Sequence, residues 1–227
     1  MTSELLQRDP QNRLLARGPR FRMPVEMIRD NALAISGLLS SRMFGPPVMP
    51  FQPDNIWRSV GRNQPEWKTA QSEERFRRGV YVVWKRAAPY PSFTNLDAPD
   101  RGSCTVRRNR TNTPLQALTL LNDPAYAEMC LAFADLILSE GGDTDVERLN
   151  YALRRCLARS ATEQEMRALT TLLEQERQTL RHQPETADQR SKNALPSLQF
   201  RSGDSVERAA WFSIANVLLN LDETINY

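Results

Sequence analysis

Apolar positions fall at helical spacing along most of this chain. Ile28, Ala32, Ile35 and Leu39 recur at intervals of four, three and four, and Pro24 suits a first helical position, so a helix is predicted over about 24–40. From Thr113 the periodicity is nearly continuous. Thr113-Pro114-Leu115-Gln116 reads as a capping box with proline at the first position, and Leu115, Leu118 and Leu121 would line one face of the helix that follows. Asp123-Pro124 opens the next helix, with Tyr126, Met129, Phe133, Leu136 and Ile137 as its stripe and Gly141-Gly142 as its stop. Val146, Leu149, Leu153 and Leu157 mark a third. Thr162 through Glu165 is a second capping box, opening a longer helix with Met166, Leu169, Leu172, Leu173 and Leu180. Residues 183–204 are polar and read as a connector. A last helix over about 205–220 gathers Trp211, Ile214, Val217, Leu218 and Leu221. Helices joined by short turns pack as antiparallel neighbours, so 113–221 is predicted to be a bundle with the 24–40 helix docked on it.

Two stretches break this pattern. Residues 1–23 read as an irregular lead-in carrying Arg13, Arg17, Arg20 and Arg22. Residues 45–113 hold most of the remaining irregular structure, beginning with GPPVMPFQP, whose prolines and glycine break helices. RGVYVVWKR (78–86) alternates Val80, Val82 and Trp84 against Tyr81 and Val83 and reads as a strand, with CTVRR (104–108) as its nearest partner. APYPSF (88–93) reads as extended. The expected fold is mainly α: a single domain over 1–227, a helical bundle with a long irregular arginine-rich segment and at most a short β-hairpin.

Composition removes several classes of function. An apolar fraction of 40% with 25% charged residues suits a folded chain. No apolar run reaches the length of a membrane span or a signal peptide, so the chain as written would stay in the cytoplasm. Cys104, Cys130 and Cys156 form no CxxC pair, and His182 is the single histidine. Zinc ribbons, haem attachment, Cys-His dyads and Ser-His-Asp triads therefore lack their residues, and no metal or cofactor is expected.

The net charge of +3 hides an uneven distribution. Residues 75–110 carry nine basic and two acidic groups, whereas 111–227 carry eleven basic and seventeen acidic groups. Arginine supplies 27 of the 30 basic residues, the side chain suited to bidentate carboxylate, sulfate or phosphate contacts. The densest cluster is Asp97, Asp100, Arg101, Cys104, Arg107, Arg108, Arg110, Thr111 and Asn112. Arg101, Arg107, Arg108, Arg110 and Asn112 are the candidate anion-binding set. The same arginines could instead pair with Asp97, Asp100 and the acidic later half, and this internal neutralisation is the first expectation, ligand binding the second. Asp97 and Asp100 could form an acid–base pair for glycosidic chemistry, but Asp-Ala-Pro-Asp equally suits a turn. Trp57, Trp67, Tyr81, Trp84, Tyr90 and Phe93 are expected to fill a core short of regular structure. A DNA-reading helix–turn–helix is disfavoured, because residues 124–140 contain no lysine or arginine.

NRLLARGPRFRMPVEMIRDNALAISGLL (12–39), RRGVYVVWKR and DAPDRGSCTVRRNRTNTPLQALTLLNDP (97–124) carry a resemblance to a known family, as does the ending WFSIANVLLNLDETINY. Together they resemble the C-terminal domain of unknown function of large Planctomycete proteins that also carry a cytochrome-c-like domain. The resemblance implies a module of a longer exported protein, placed outside the cytoplasm, with haem-binding and other domains, or a separate chain, as partners. It transfers no catalytic residue, and the haem motif CxxCH is missing here. The functional expectation is a non-catalytic binding or scaffold domain, with an anionic glycan as one ligand. The alternative is an enzyme domain acting on anionic polysaccharide through Asp97 or Asp100 and the neighbouring arginines.

Overall fold

The computed structural model describes residues 3–16, 18, 21–52, 67–86, 88–192 and 204–226. Arg17, Arg20, Trp57 and much of the 183–204 connector lie outside the described residues. Ten α-helices and no strand occur among those that are described. They are α1 (Ser3–Arg8), α2 (Val25–Ile35), α3 (Pro91–Asn95), α4 (Pro114–Asn122), α5 (Pro124–Glu140), α6 (Asp145–Leu157), α7 (Glu163–His182), α8 (Pro184–Lys192), α9 (Ser205–Leu219) and α10 (Asp222–Ile225). None is long and apolar enough to cross a membrane.

The mainly α fold follows from the caps and stripes of the sequence. Thr144 and Thr162 form complete capping boxes with Glu147 and Glu165, and Asp123 caps α5 by accepting the Ala125 N–H. Helix α9 sits at the centre of the bundle, packed on α5, α7 and α8. Trp211, Ile214, Leu218, Phe133, Ile137, Leu149 and Leu173 are fully buried there, and Leu33 and Val25 of α2 share the same core. Part of the acidic charge of the later half is balanced on its own helices. Arg177 bridges Asp145 at 2.5 Å and Glu207 at 2.7 Å, Arg159 bridges Glu165 and Glu223, Arg190 meets Glu176 and Arg208 meets Asp135.

Five expectations need correction. The lead-in is not wholly irregular, since Ser3–Arg8 forms α1. The 78–86 stretch forms no strand: Gly79–Tyr81 is a 3-10 turn, and Val48 and Val82 share an isolated parallel bridge. Gly79 packs so closely on α2 that an added Cβ would lie 2.8 Å from the Cα of Glu26, and its N–H reaches Asp30 at 2.6 Å. That docking overrides the strand alternation and leaves Val80 exposed; CTVRR lies exposed and unpaired with it. APYPSF is not wholly extended, since Pro91 opens α3. Part of the polar connector is helical: α8 packs on α9 through its fully buried Ala187. Finally, Leu115, Leu118 and Leu121 face outward, while Gln116, Thr119 and Leu120 are buried.

Candidate functional site: an arginine-lined cleft

Although alike in sequence, the arginines of 75–110 divide into two structural classes. Those of 75–78 are mostly internal ties. Arg75 is buried and paired with buried Glu128 of α5, and its carbonyl accepts an N–H of buried Arg29 at 2.5 Å. Arg77 is fully buried, bonded to the carbonyls of Phe44 and Pro46 and stacked 3.9 Å from the centre of the Tyr81 ring. Arg78 pairs with Asp30 at 3.0 Å. Among the described residues, Arg75 is the one arginine of this run paired with an acid of the later half. Arg101, Arg107, Arg108 and Arg110 thus pair with no acid of that half among the described residues, and Arg108 meets Glu26 of α2 instead.

The second class rides on the exposed loop from residue 100 to 113. Asp97 and Arg101 bend the loop away from α3 with φ of 63° and 58°, a left-handed conformation that short polar residues such as Asp tolerate best. The loop is clasped at its base. Asp97 accepts the Thr111 N–H at 2.6 Å, the Thr111 hydroxyl at 2.9 Å and the Gln116 amide at 3.1 Å. Partial burial pushes the Asp97 carboxyl up, but these hydrogen bonds and the nearby Arg22 charge outweigh it and hold the group below the usual carboxylate range. Further along, Arg108 pairs with Glu26 of α2 at 2.6 Å.

Opposite the loop runs the end of the lead-in. Met23 donates to the Ile225 carbonyl at 3.1 Å and Arg22 bridges Asn226, so residues 22–24 are pinned to the C-terminal end of the chain. Between the two segments lies a cleft of about 220 Å³, with Arg22, Arg107, Arg108 and Arg110 on its walls and Leu96 and Met23 as apolar surface. Arg110 is stacked 5.3 Å from the centre of the Phe21 ring. Neither Arg107 nor Arg110 has an acidic partner among the described residues.

Of the five candidate residues, the fold thus brings Arg107, Arg108 and Arg110 to one cleft. Arg101 is held elsewhere on the loop, 5.1 Å from the Trp84 ring whose indole N–H reaches the Asp100 carbonyl at 3.3 Å. Asn112 is exposed and does not line the cleft. Arg22 was missed as a contributor; its place in the lead-in basic run was the available signal. The two carboxylates do not share the cleft: Asp97 lines it, while Asp100 accepts the Gly102 N–H at 2.9 Å on the exposed loop. Cys104 is exposed on the same loop; Cys130 and Cys156 lie inward, where burial pushes the Cys156 thiol up to about 12 and that of Cys130 higher still.

A family model described as PSD1, protein of unknown function (DUF1553), matches residues 1–173. The chain belongs to the PSD1 family. The match takes in both walls of the cleft, the clasp and helices up to the middle of α7, and stops short of α8, α9 and α10. No curated protein and no solved structure matches the chain.

Proposed function

We propose that this chain is a non-catalytic binding module that takes an anionic group in the cleft between residues 22–24 and 106–110. The observation that carries this reading is the pair of guanidiniums, Arg107 and Arg110, that have no acidic partner among the described residues while facing the same cleft as Arg22 and Arg108. Guanidiniums without an internal acid are available for bidentate contact with a carboxylate, sulfate or phosphate. Arg110 on Phe21 has part of its motion already restrained, which lowers the entropic cost of holding a ligand. An anionic glycan suits the combination of guanidiniums with the apolar surface of Leu96 and Met23.

The non-catalytic part of the reading rests on the carboxylates. Asp97 is occupied by Thr111 and Gln116 and is biased toward the ionised form, a poor starting point for a general acid. Asp100 serves the loop turn. The finer reading is a C-terminal, extracytoplasmic module of a larger Planctomycete protein bearing a cytochrome-c-like domain, with the whole of 1–227 as one domain; membership of a family of unknown function supports its coarser part. In that setting the haem-binding and other domains of the same protein, or a separate chain, are the partners.

The test is a thermal-shift and calorimetric series with sulfated and carboxylated oligosaccharides and their neutral counterparts. The reading expects the charged members to raise the melting temperature and the neutral ones to leave it unchanged. Cleavage of any of these glycans by the purified chain alone would overturn the non-catalytic assignment.

A further inference from the structure

The face of α4 that the sequence reads as core is instead turned to the outside. Leu115 and Leu118 are each 55% exposed and Leu121 is 39% exposed, on a helix that carries no ionisable side chain. Beside them runs a cleft of about 410 Å³ between α3 and α4, floored by Tyr90, Pro91 and Pro124, with Leu115 and Leu118 forming one of its edges. Ridge and groove thus occur side by side on one surface.

From this geometry we infer that the α4 face binds a second copy of this chain, the leucine ridge of each copy entering the cleft of the other about a two-fold axis. An isologous contact sets like residues near one another, so it needs a surface that complements itself. Three features meet that need. The first is the adjacent ridge and groove. The second is neutrality: charge at the centre of a two-fold contact would face its own copy, and interface centres are depleted of it. Asp123, the carboxylate lining the cleft, is turned inward, accepting the Ser92 hydroxyl and the Ala125 N–H. The third is the amide rim of Asn95 and Asn122. Each uses its Nδ2 internally, toward Thr119 Oγ1 and the Leu118 carbonyl. Each keeps an Oδ1 acceptor and a second N–H, and a side-chain amide can both give and receive from its own kind. A surface meant for a charged partner would carry the opposite sign around this ridge, as the arginine cleft does; α4 carries none.

Sedimentation velocity on the full chain tests this, from low- to high-micromolar concentration. The expected result is a reversible monomer–dimer equilibrium that Leu118→Glu and, separately, Leu115→Glu each weaken by about tenfold or more, while Leu118→Met preserves it. Both positions are more than half exposed, so unchanged circular dichroism and melting of the Glu variants at monomeric concentrations is expected as the folding control. A chain that stays monomeric throughout, leaving the face to a different partner, overturns the inference. So does a dimer that both Glu variants leave intact.

Discussion

Asp97 and Thr111 hold the two ends of the arginine loop together, with the Asp97 carboxylate taking the Thr111 N–H at 2.6 Å and its hydroxyl at 2.9 Å. Gln116 completes the clasp from the first turn of α4, its amide reaching both Asp97 and Thr111. One contact therefore links the end of α3, the loop that carries Arg107, Arg108 and Arg110, and the helix on which Leu115, Leu118 and Leu121 face outward.

Breaking that clasp is expected to lower stability and binding together. Asp97→Ala removes an ionised acceptor of three donors and should cost about 1–3 kcal/mol in urea unfolding. Anion affinity should fall in the same variant, because Arg107 and Arg110 lose their fixed position. Thr111→Val, which keeps the backbone N–H and loses only the hydroxyl, should show a smaller effect on both.

The two classes of arginine should separate cleanly in mutants. Arg75→Ala leaves buried Glu128 without its partner and is expected to destabilise the chain by about 3–5 kcal/mol. Arg107→Ala, which breaks no ion pair among the described residues, should change stability by less than about 0.5 kcal/mol. The same substitution should weaken anion binding, a readout that a purely structural arginine would not move.

On α4 the prediction is positional. Leu120 is 4% exposed and Leu118 is 55% exposed. Leu120→Ala should cost about 2–5 kcal/mol by opening a cavity against the core. Leu118→Ala, measured as monomer, should be near neutral.

Acid stability should report on Glu165. Arg159, together with the Thr162 cap, holds its carboxyl down to about 2, against an ordinary value of 4.5. A depressed folded value means the stabilisation is fully present above the ordinary value and is lost as pH falls from about 4.5 toward about 2. Glu165→Gln should flatten that part of the stability–pH curve; an unchanged slope between those limits would contradict it.

How much of this was legible in the sequence depended on whether local signals and tertiary contacts agreed. The Thr162–Glu165 box, the Asp123 cap and the Gly141 stop act over one turn, and each stands where its residues indicate. Helix α4 misled because two faces were available. Its leucines outweigh Gln116 on any hydrophobic scale, yet Gln116 is buried by a polar bond to Asp97, nineteen residues away. The Val80–Trp84 alternation gave way to the close approach of Gly79 to α2, again a contact that no local pattern encodes. Helix α8 was hidden because a single fully buried alanine, Ala187, is a weak signal. Within the site, the sequence located the arginine cluster but could not sort Arg75 and Arg77 from Arg107 and Arg110, since all four sit in similar runs.

The most direct test of the binding cleft is the arginine Nε–Hε NMR spectrum of the chain, titrated with a sulfated oligosaccharide at low salt. Resonances of Arg22, Arg107, Arg108 and Arg110 should shift together and saturate, those of Arg75 and Arg77 should stay in place, and added salt should reverse the shifts. Shifts that bypass the four cleft arginines, or no shift at any ligand concentration, would contradict the account.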